Sequence, residues 1–329
     1  MHEVKRYEFL LEATQPIAHH EGVLGNHALS MRRKVRQPNG AFVDVPVITA
    51  DTMRHGLREA SAYAVLDAAG LIDGERLTAG ALRLLFNGGM MSGRGDAGTV
   101  NLDEYRELVE LIPPLGIFGG CASNRVIPGK VHVDDALLVC AETAHWWPEW
   151  QRLATEGQEI AGSRAHIEEV QRVRMDPMLD PGKRKLLTAD AQVEATKQLA
   201  ASEEAHGKND AIERDQTKST MMPRTFERVV QGSLFSWSLS ATLHSDLDRD
   251  TLMTALGVFL SRCVVGGKKG TGHGHLRCIA PRDNSVRRPS EQTDMLDTDA
   301  LGGKVGELFR SHVRERADRI REFMTRVAA

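Results

Sequence analysis

The sequence predicts an α+β protein whose core is a ferredoxin-like (RRM-like) antiparallel sheet interrupted by large helical and loop insertions. Three observations carry this. The stretch SLFSWSLSATLH places Phe235, Trp237, Leu239, Ala241 and Leu243 in strict alternation with small polar residues, the period of a half-buried strand. Without its insertions the chain reads strand, helix, strand, strand, helix, strand, the order of that fold. Between the last helix of this core and its last strand lies VVGGKKGTGHGHLRC, where five glycines, two lysines and one histidine crowd into residues 266–274.

The elements follow in order. VKRYEFLLEATQPIA reads as a strand running into a glycine-containing loop, HHEGVLGNH. MRRKVR and AFVDVPVI flank the turn signal QPNG, which makes a hairpin. Thr49 or Asp51 can cap the next helix, whose Met53, Leu57, Ala60, Ala64 and Ala68 recur at helical spacing up to Gly70. ERLTAGALRLLF, closed by Gly88-Gly89, and LDEYRELVELI, stopped by Pro113-Pro114, are shorter helices, with MSGRGDAG a loop between them. VHVDDALLVCAE reads as one buried strand. From about Gln151 to Thr225 charge is dense and large apolar residues few, an excursion too polar to fold alone. A helix from about Asp248 to Val264 then presents Leu252, Leu256, Phe259 and Cys263 on one side, and a strand from His275 to Ala280 follows the glycine loop. PRDNSVRRPSEQTDM is a linker. Residues 305–327 read as one amphipathic helix with the stripe Val305, Leu308, Phe309, Val313, Ile320, Phe323, Met324 and Val327. Four segments result: 1–150 and 231–281 as the two parts of the sheet domain, 151–230 as a charged insertion, and 282–329 as linker and terminal helix.

Composition narrows the function classes. Lys and Arg number 42 against 45 Asp and Glu, a net charge of −3, so only clustered basic residues can argue for nucleic acid. No apolar run has the length of a signal peptide or a membrane span. The four cysteines form no CxxC pair and read as reduced thiols, which points to a cytoplasmic protein without membrane contact.

The glycine loop is not a nucleotide-binding P-loop. Lys268-Lys269 precede Gly270, with no GKS or GKT, and the loop joins helix to strand where a P-loop joins strand to helix. Gly266, Gly267 and Gly270 do let the backbone approach a phosphate chain, and Lys268, Lys269, Thr271 and His273 supply charge and hydrogen bonds. A plain chain reversal is the competing reading. His273, His275 and Cys278 make a poor zinc signature, lacking a second ligand pair, and no metal or other cofactor is expected. Arg32, Arg33, Lys34 and Arg36 beside the hairpin, joined by Arg54 and Arg58 one helical turn apart, form a plausible phosphate track. No paired carboxylates or nucleophile elbow stand out.

VITADTMRHGLREA resembles the element after the first hairpin in RAMP-superfamily proteins of CRISPR effector complexes, commonly I-P-G-S-S-L-R-G-x-L-R. Ile48, Met53, Arg54, Leu57 and Arg58 fit it, while Thr49, Ala50, Asp51, Thr52 and His55 depart from it. GIFGGCASNRVIPGKVHVDDALL, RTFERVVQGSLFSWSLS and VVGGKKGTGHGHLRC resemble three further elements of the family in the same order. Length and the polar insertion are similar to its backbone subunit, and the wording of the motifs is most like the type IV version. The resemblance implies a palm that grips guide RNA, copies stacked head to tail as a helical homo-oligomer, other effector subunits as partners, and a target strand paired in the groove. It also implies a protruding thumb, with Met221 and Met222 as apolar wedges between bases and Lys218 and Arg224 on nearby phosphates. Type III relatives cleave with an aspartate in the loop before the hairpin. GNHALSMRRKVRQPNG contains none, and Asp44 lies beyond the turn, so a non-catalytic scaffold is expected. The alternative is an endoribonuclease of the same superfamily, using His19, His20 or His273 as acid and base.

Overall fold

The computed structural model describes residues 3–24, 26–72, 77–89, 102–122, 125–147, 152, 155–157, 159–172, 181–194, 196–197, 224–279 and 306–326. The strands are β1 (Glu3–Ala13), β2 (His20–Leu24), β3 (His27–Ser30), β4 (Arg32–Arg36), β5 (Phe42–Ile48), β6 (Gly120–Ala122), β7 (Arg125–Ile127), β8 (Val131–Val133), β9 (Ala136–Leu138), β10 (Ile167–Arg172), β11 (Arg224–Val229), β12 (Leu234–Leu243) and β13 (Leu276–Ile279). The main helices are α1 (Ala50–Ala68), α2 (Ala79–Asn87), α3 (Leu102–Leu111), α4 (Pro113–Phe118), α5 (Asp246–Ser261), α6 (Glu307–Glu315) and α7 (Ala317–Arg326).

The main sheet runs β13-β1-β12-β9-β5-β4, with β8 also paired to β12. Its β13, β1, β12 and β8/β9 are the fourth, first, third and second strands of the βαββαβ order, which is the ferredoxin-like arrangement; the β4–β5 hairpin widens it. Pairing of β1 with β12 sets Tyr7 opposite Leu239, Phe9 opposite Trp237 and Leu11 opposite Phe235, and all six are buried. The rings of Phe9 and Trp237 stack at 4.7 Å, and Phe259 of α5 meets Trp237 edge-on at 6.0 Å. Met53 and Leu57 of α1 and Leu252 and Leu256 of α5 fill the same core. Truncating one of these aromatics would cost about 3–5 kcal/mol.

Caps follow the sequence. Thr49 accepts the Thr52 amide at the start of α1, and Ser245 accepts the Asp248 amide at the start of α5. A second core joins Val65, Leu84, Leu85, Leu111 and Leu115 to Phe309, Val313, Ile320 and Met324. Asp250 holds α6 in place by accepting from the main-chain amides of Gly306 and Phe309 at 2.9 and 2.8 Å.

Several expectations need correction. VHVDDALL is two short strands, β8 and β9, parted at Asp134-Asp135, where Asp135 takes the Ala50 amide and Asp134 the Ser238 hydroxyl. Pro113-Pro114 do end α3, but they also open α4, since proline's missing amide costs nothing in a first helical turn. The terminal helix is two, parted at Arg316, and Leu308 of its expected stripe is exposed. Cys263 lies beyond the end of α5, and it is buried. HHEGVLGNH, expected as loop, contains β2 and the start of β3, which pair antiparallel.

The described residues group into two compact units. The first comprises 1–19, 31–167 and 229–329, and the second 20–30 and 168–228. Within the second, the sheet order is β10-β11-β3-β2. There β11 runs parallel to β3, Thr225 opposite His27 and Phe226 opposite Ala28. The Ser30 amide donates to Glu227 Oε2 at 2.8 Å, and His20 Nε2 lies 2.9 Å from the Glu227 carbonyl. No described helix is long and apolar enough to cross a membrane.

Candidate nucleic-acid interface

The glycine loop leaves α5 at Ser261 and returns as β13. Its base is closed by the bridge between Val264 and His275 and by the Val265 amide on the Gly274 carbonyl at 2.9 Å. Its inner side lies on the segment after β1. The Gly267 amide donates to Ala18 O at 2.7 Å and the Gly274 amide to Pro16 O at 2.9 Å. Gly266 and Gly274 have φ of +72° and +96°, where a side chain is strained, and a Cβ on Gly266 would stand 2.7 Å from Ala18 O. These glycines therefore admit the protein's own backbone.

The outer side is different. Lys268, Lys269, Gly270 and Thr271 are all exposed, on a single 3₁₀ turn over Lys269–Thr271. Thr271 closes that turn by donating from its amide and its hydroxyl to the Lys268 carbonyl, each at 2.9 Å. Lys268 itself has φ 58°, the left-handed region that a lysine seldom adopts. His273 does not join this surface. It is 1% exposed, with Nδ1 3.0 Å from the Thr271 carbonyl, so it braces the loop from within.

Hydrogen bonds connect the loop to the basic hairpin. Next to Ala18, the His19 carbonyl accepts the Met31 amide at 2.7 Å, and the Met31 carbonyl accepts the Val47 amide at 3.0 Å. His19 Nε2 accepts the Thr49 amide at 3.3 Å and lies 3.3 Å from Thr49 Oγ1, at the N-cap of α1. Strand β4 starts one residue after Met31, on the sheet's edge. Arg33, Lys34 and Arg36 are exposed there and Arg32 is half-buried. Arg33 Nε donates to Asp135 Oδ2 at 2.9 Å, and Asp135 Oδ1 takes the Ala50 amide at 2.6 Å. Loop lysines and β4 are thus joined through Pro16–His19 and Met31.

Arg54 and Arg58 are positioned otherwise than the phosphate track expected. Arg54 donates to the carbonyls of Val131 and Phe118 at 3.1 and 2.6 Å. Arg58 donates to those of Gly119 and Phe118, both at 3.0 Å. Both side chains are half-buried and satisfy the otherwise orphaned carbonyl end of α4. Burial, with the Arg54 charge beside it, lowers the Arg58 guanidinium to about 10.

Asp134 takes the Ser238 hydroxyl and lies 3.6 Å from Arg6 and 3.3 Å from His132, separated in role from Asp135. Among the described residues no three His, Cys, Asp or Glu side chains are placed to hold a metal. The described cysteines are free thiols, and burial pushes those of Cys263 and Cys278 up to about 12 and about 11. Of the expected thumb, Arg224 opens β11 and is exposed, while Lys218, Met221 and Met222 lie outside the described residues, as do MSGRGDAG and the linker after Ala280. The sequence reading missed Ala18 and Asp135, which anchor the loop and the hairpin through main-chain and carboxylate contacts that no motif announces.

Fold and surface together define a class: an α+β protein with a ferredoxin-like antiparallel sheet, helices on one face, and a cationic glycine loop beside a basic edge hairpin. No protein-family profile matches the sequence, and no curated protein does. Among solved structures, a chain of a "Type IV-B CRISPR Complex" is similar in fold, with a TM-score of 0.54 at 16% identity, over 87% of this chain and 94% of that chain.

Proposed function

We propose that this protein is a RAMP-superfamily backbone subunit of a CRISPR effector complex, most like the type IV version. It binds guide RNA through the outer turn of the glycine loop and β4, and stacks head to tail as copies along that RNA. The observation that carries the reading is the exposed Lys268-Lys269 turn tied through Ala18, His19 and Met31 to the basic strand β4. A polyanion can follow such a path because cations and accessible main chain lie along it. The fold likeness to a chain of a CRISPR complex supports the same reading.

The subunit acts as a scaffold. His19 is engaged at the α1 cap and His273 turned inward, an arrangement that favours support over acid–base work by the histidines of the endoribonuclease alternative. The test is purification followed by measurement of absorbance at 260 nm, sequencing of any copurified RNA, and particle imaging. Short RNA and helical particles are expected. A protein that is monomeric, free of RNA and indifferent to added RNA defeats the proposal, and RNA cleavage that persists without divalent metal and is lost in His19→Ala would favour the nuclease.

A further inference from the structure

The turn end of the β4–β5 hairpin presents an aromatic ring to solvent. Phe42 is 65% exposed and stands opposite Arg36 in the register. Val35 and Val45 turn inward, so Phe42 and Arg36 share the outward face with Lys34 and its partner Asp44. Against the same end of β4 lies the turn Thr143–Trp147. His145 Nε2 is 3.1 Å from the Arg36 carbonyl, and Gln37 Nε2 donates to the Glu142 carbonyl at 3.0 Å.

That turn gives its two tryptophans opposite fates. Trp147 is buried and donates its indole N–H to Thr143 Oγ1 at 3.1 Å. Trp146 is 54% exposed, its amide held by the Thr143 carbonyl at 2.9 Å and its ring 5.2 Å from that of His145. Trp146 on this turn and Phe42 on β5 are thus both exposed at the end of β4, where His145 of the turn meets the Arg36 carbonyl. The cations Lys34 and Arg36 outnumber the one acid, Asp44, on the shared face. Aromatic faces beside cations match an unpaired base and its phosphate.

Resting on the RNA-binding reading above, we propose that Trp146 and Phe42, flanked by Arg36, form a stacking platform for an unpaired base of a single-stranded nucleic acid. The base stacks on the exposed rings, and Arg36 meets the adjoining phosphate. The strand can be RNA or DNA, because every base has a π-face and stacking does not read the sugar.

The experiment uses the full chain with single-stranded RNA and DNA of one sequence, each bearing 2-aminopurine. Fluorescence quenching is expected on binding, lost in Trp146→Ala and retained in Trp146→Phe. Affinity should fall about tenfold in Trp146→Ala and in Phe42→Ala. Quenching by RNA alone names the guide as source, and quenching by DNA alone names a DNA strand. Unchanged quenching and affinity in Trp146→Ala overturns the platform. If Lys268→Ala/Lys269→Ala still weakens that oligonucleotide, the RNA-binding reading survives and only the platform fails. No binding of either strand defeats both. Dissociation of an RNA-free oligomer by Trp146→Ala, read by sedimentation, would make this a protein–protein interface and also overturn the platform.

Discussion

The Gly267 amide donates to Ala18 O at 2.7 Å, and this bond fixes how the glycine loop is built. One side is clasped by the protein's own backbone and only the other faces solvent. Glycines along the loop therefore differ in what requires them. Gly266 and Gly274 are required by fold, with positive φ and close carbonyls at Ala18 and Val265, whereas nothing lies within 4 Å of a Cβ on Gly270. Gly266→Ala and Gly274→Ala should each lower unfolding free energy by about 1–3 kcal/mol. Gly270→Ala should stay within about 0.5 kcal/mol. Urea denaturation at neutral pH measures all three, and equal costs would refute this division.

Lys268 and Lys269 sit on the solvent side. For a single strand, each phosphate left without its cation should flatten the plot of log affinity against log salt by about 0.7. Lys268→Ala/Lys269→Ala should therefore reduce the slope by about 1.4 while leaving secondary structure intact. Lys268→Gly should separate the roles of position 268. It relieves the left-handed strain, leaving stability equal or up to about 1 kcal/mol higher, yet it weakens RNA binding. A salt slope unmoved by the double substitution would remove the loop from the interface.

Phe118 O accepts from both Arg54 and Arg58, which ties α1 to the end of α4. Arg54→Ala and Arg58→Ala should each destabilise the protein by about 1–3 kcal/mol, because buried carbonyls lose charged donors. Arg54→Lys should recover little, since an ammonium lacks the fork that reaches the Val131 and Phe118 carbonyls together. Thermal melts of RNA-free protein test this, and unchanged melting would return both residues to the phosphate track.

His166 provides the pH prediction. Its Nδ1 lies 2.9 Å from Ser233 Oγ, and its Nε2 is buried without a hydrogen-bond partner. Burial lowers its pKa, with the Glu142 charge opposing. The unfolded chain, with an ordinary imidazole near ~6.5, then binds more protons than the native one as pH falls below that value. Stability from this group is full above it and is lost toward the lower folded pKa. The stability of wild type relative to His166→Asn should shrink as pH falls from ~7.5 to ~5.5. A difference that stays flat or grows would contradict the burial of this ring.

Much of the site was legible in particular residues. The cleared backbone, its two lysines and the basic strand were visible in GGKKGTG and MRRKVR, because steric clearance and charge are properties of composition over a few residues. The inward turn of His273 was not, nor the engagement of Arg54 and Arg58 by α4. Both depend on which carbonyls happen to end nearby, and the sequence of either element alone leaves that open. Trp146 passed unremarked because Trp146 and Trp147 look identical in a sequence; packing of Trp147 with Leu10 and Val139, and its indole bond to Thr143, are what distinguish the buried one.

By itself the sequence determined the alternating face of β12, the capped helices α1 and α5, the QPNG hairpin and the order of elements. Each rests on periodicity and caps that act within a few residues. Tertiary structure alone decided that β3 pairs with β11, almost two hundred positions away, that the Ala50 amide meets Asp135 at the break between β8 and β9, and that Ala18 underlies the glycine loop. Those outcomes follow from main-chain hydrogen bonding and chain reversal, and backbone amides and carbonyls are the same at every residue, so no local pattern of side chains can encode which distant partners they meet.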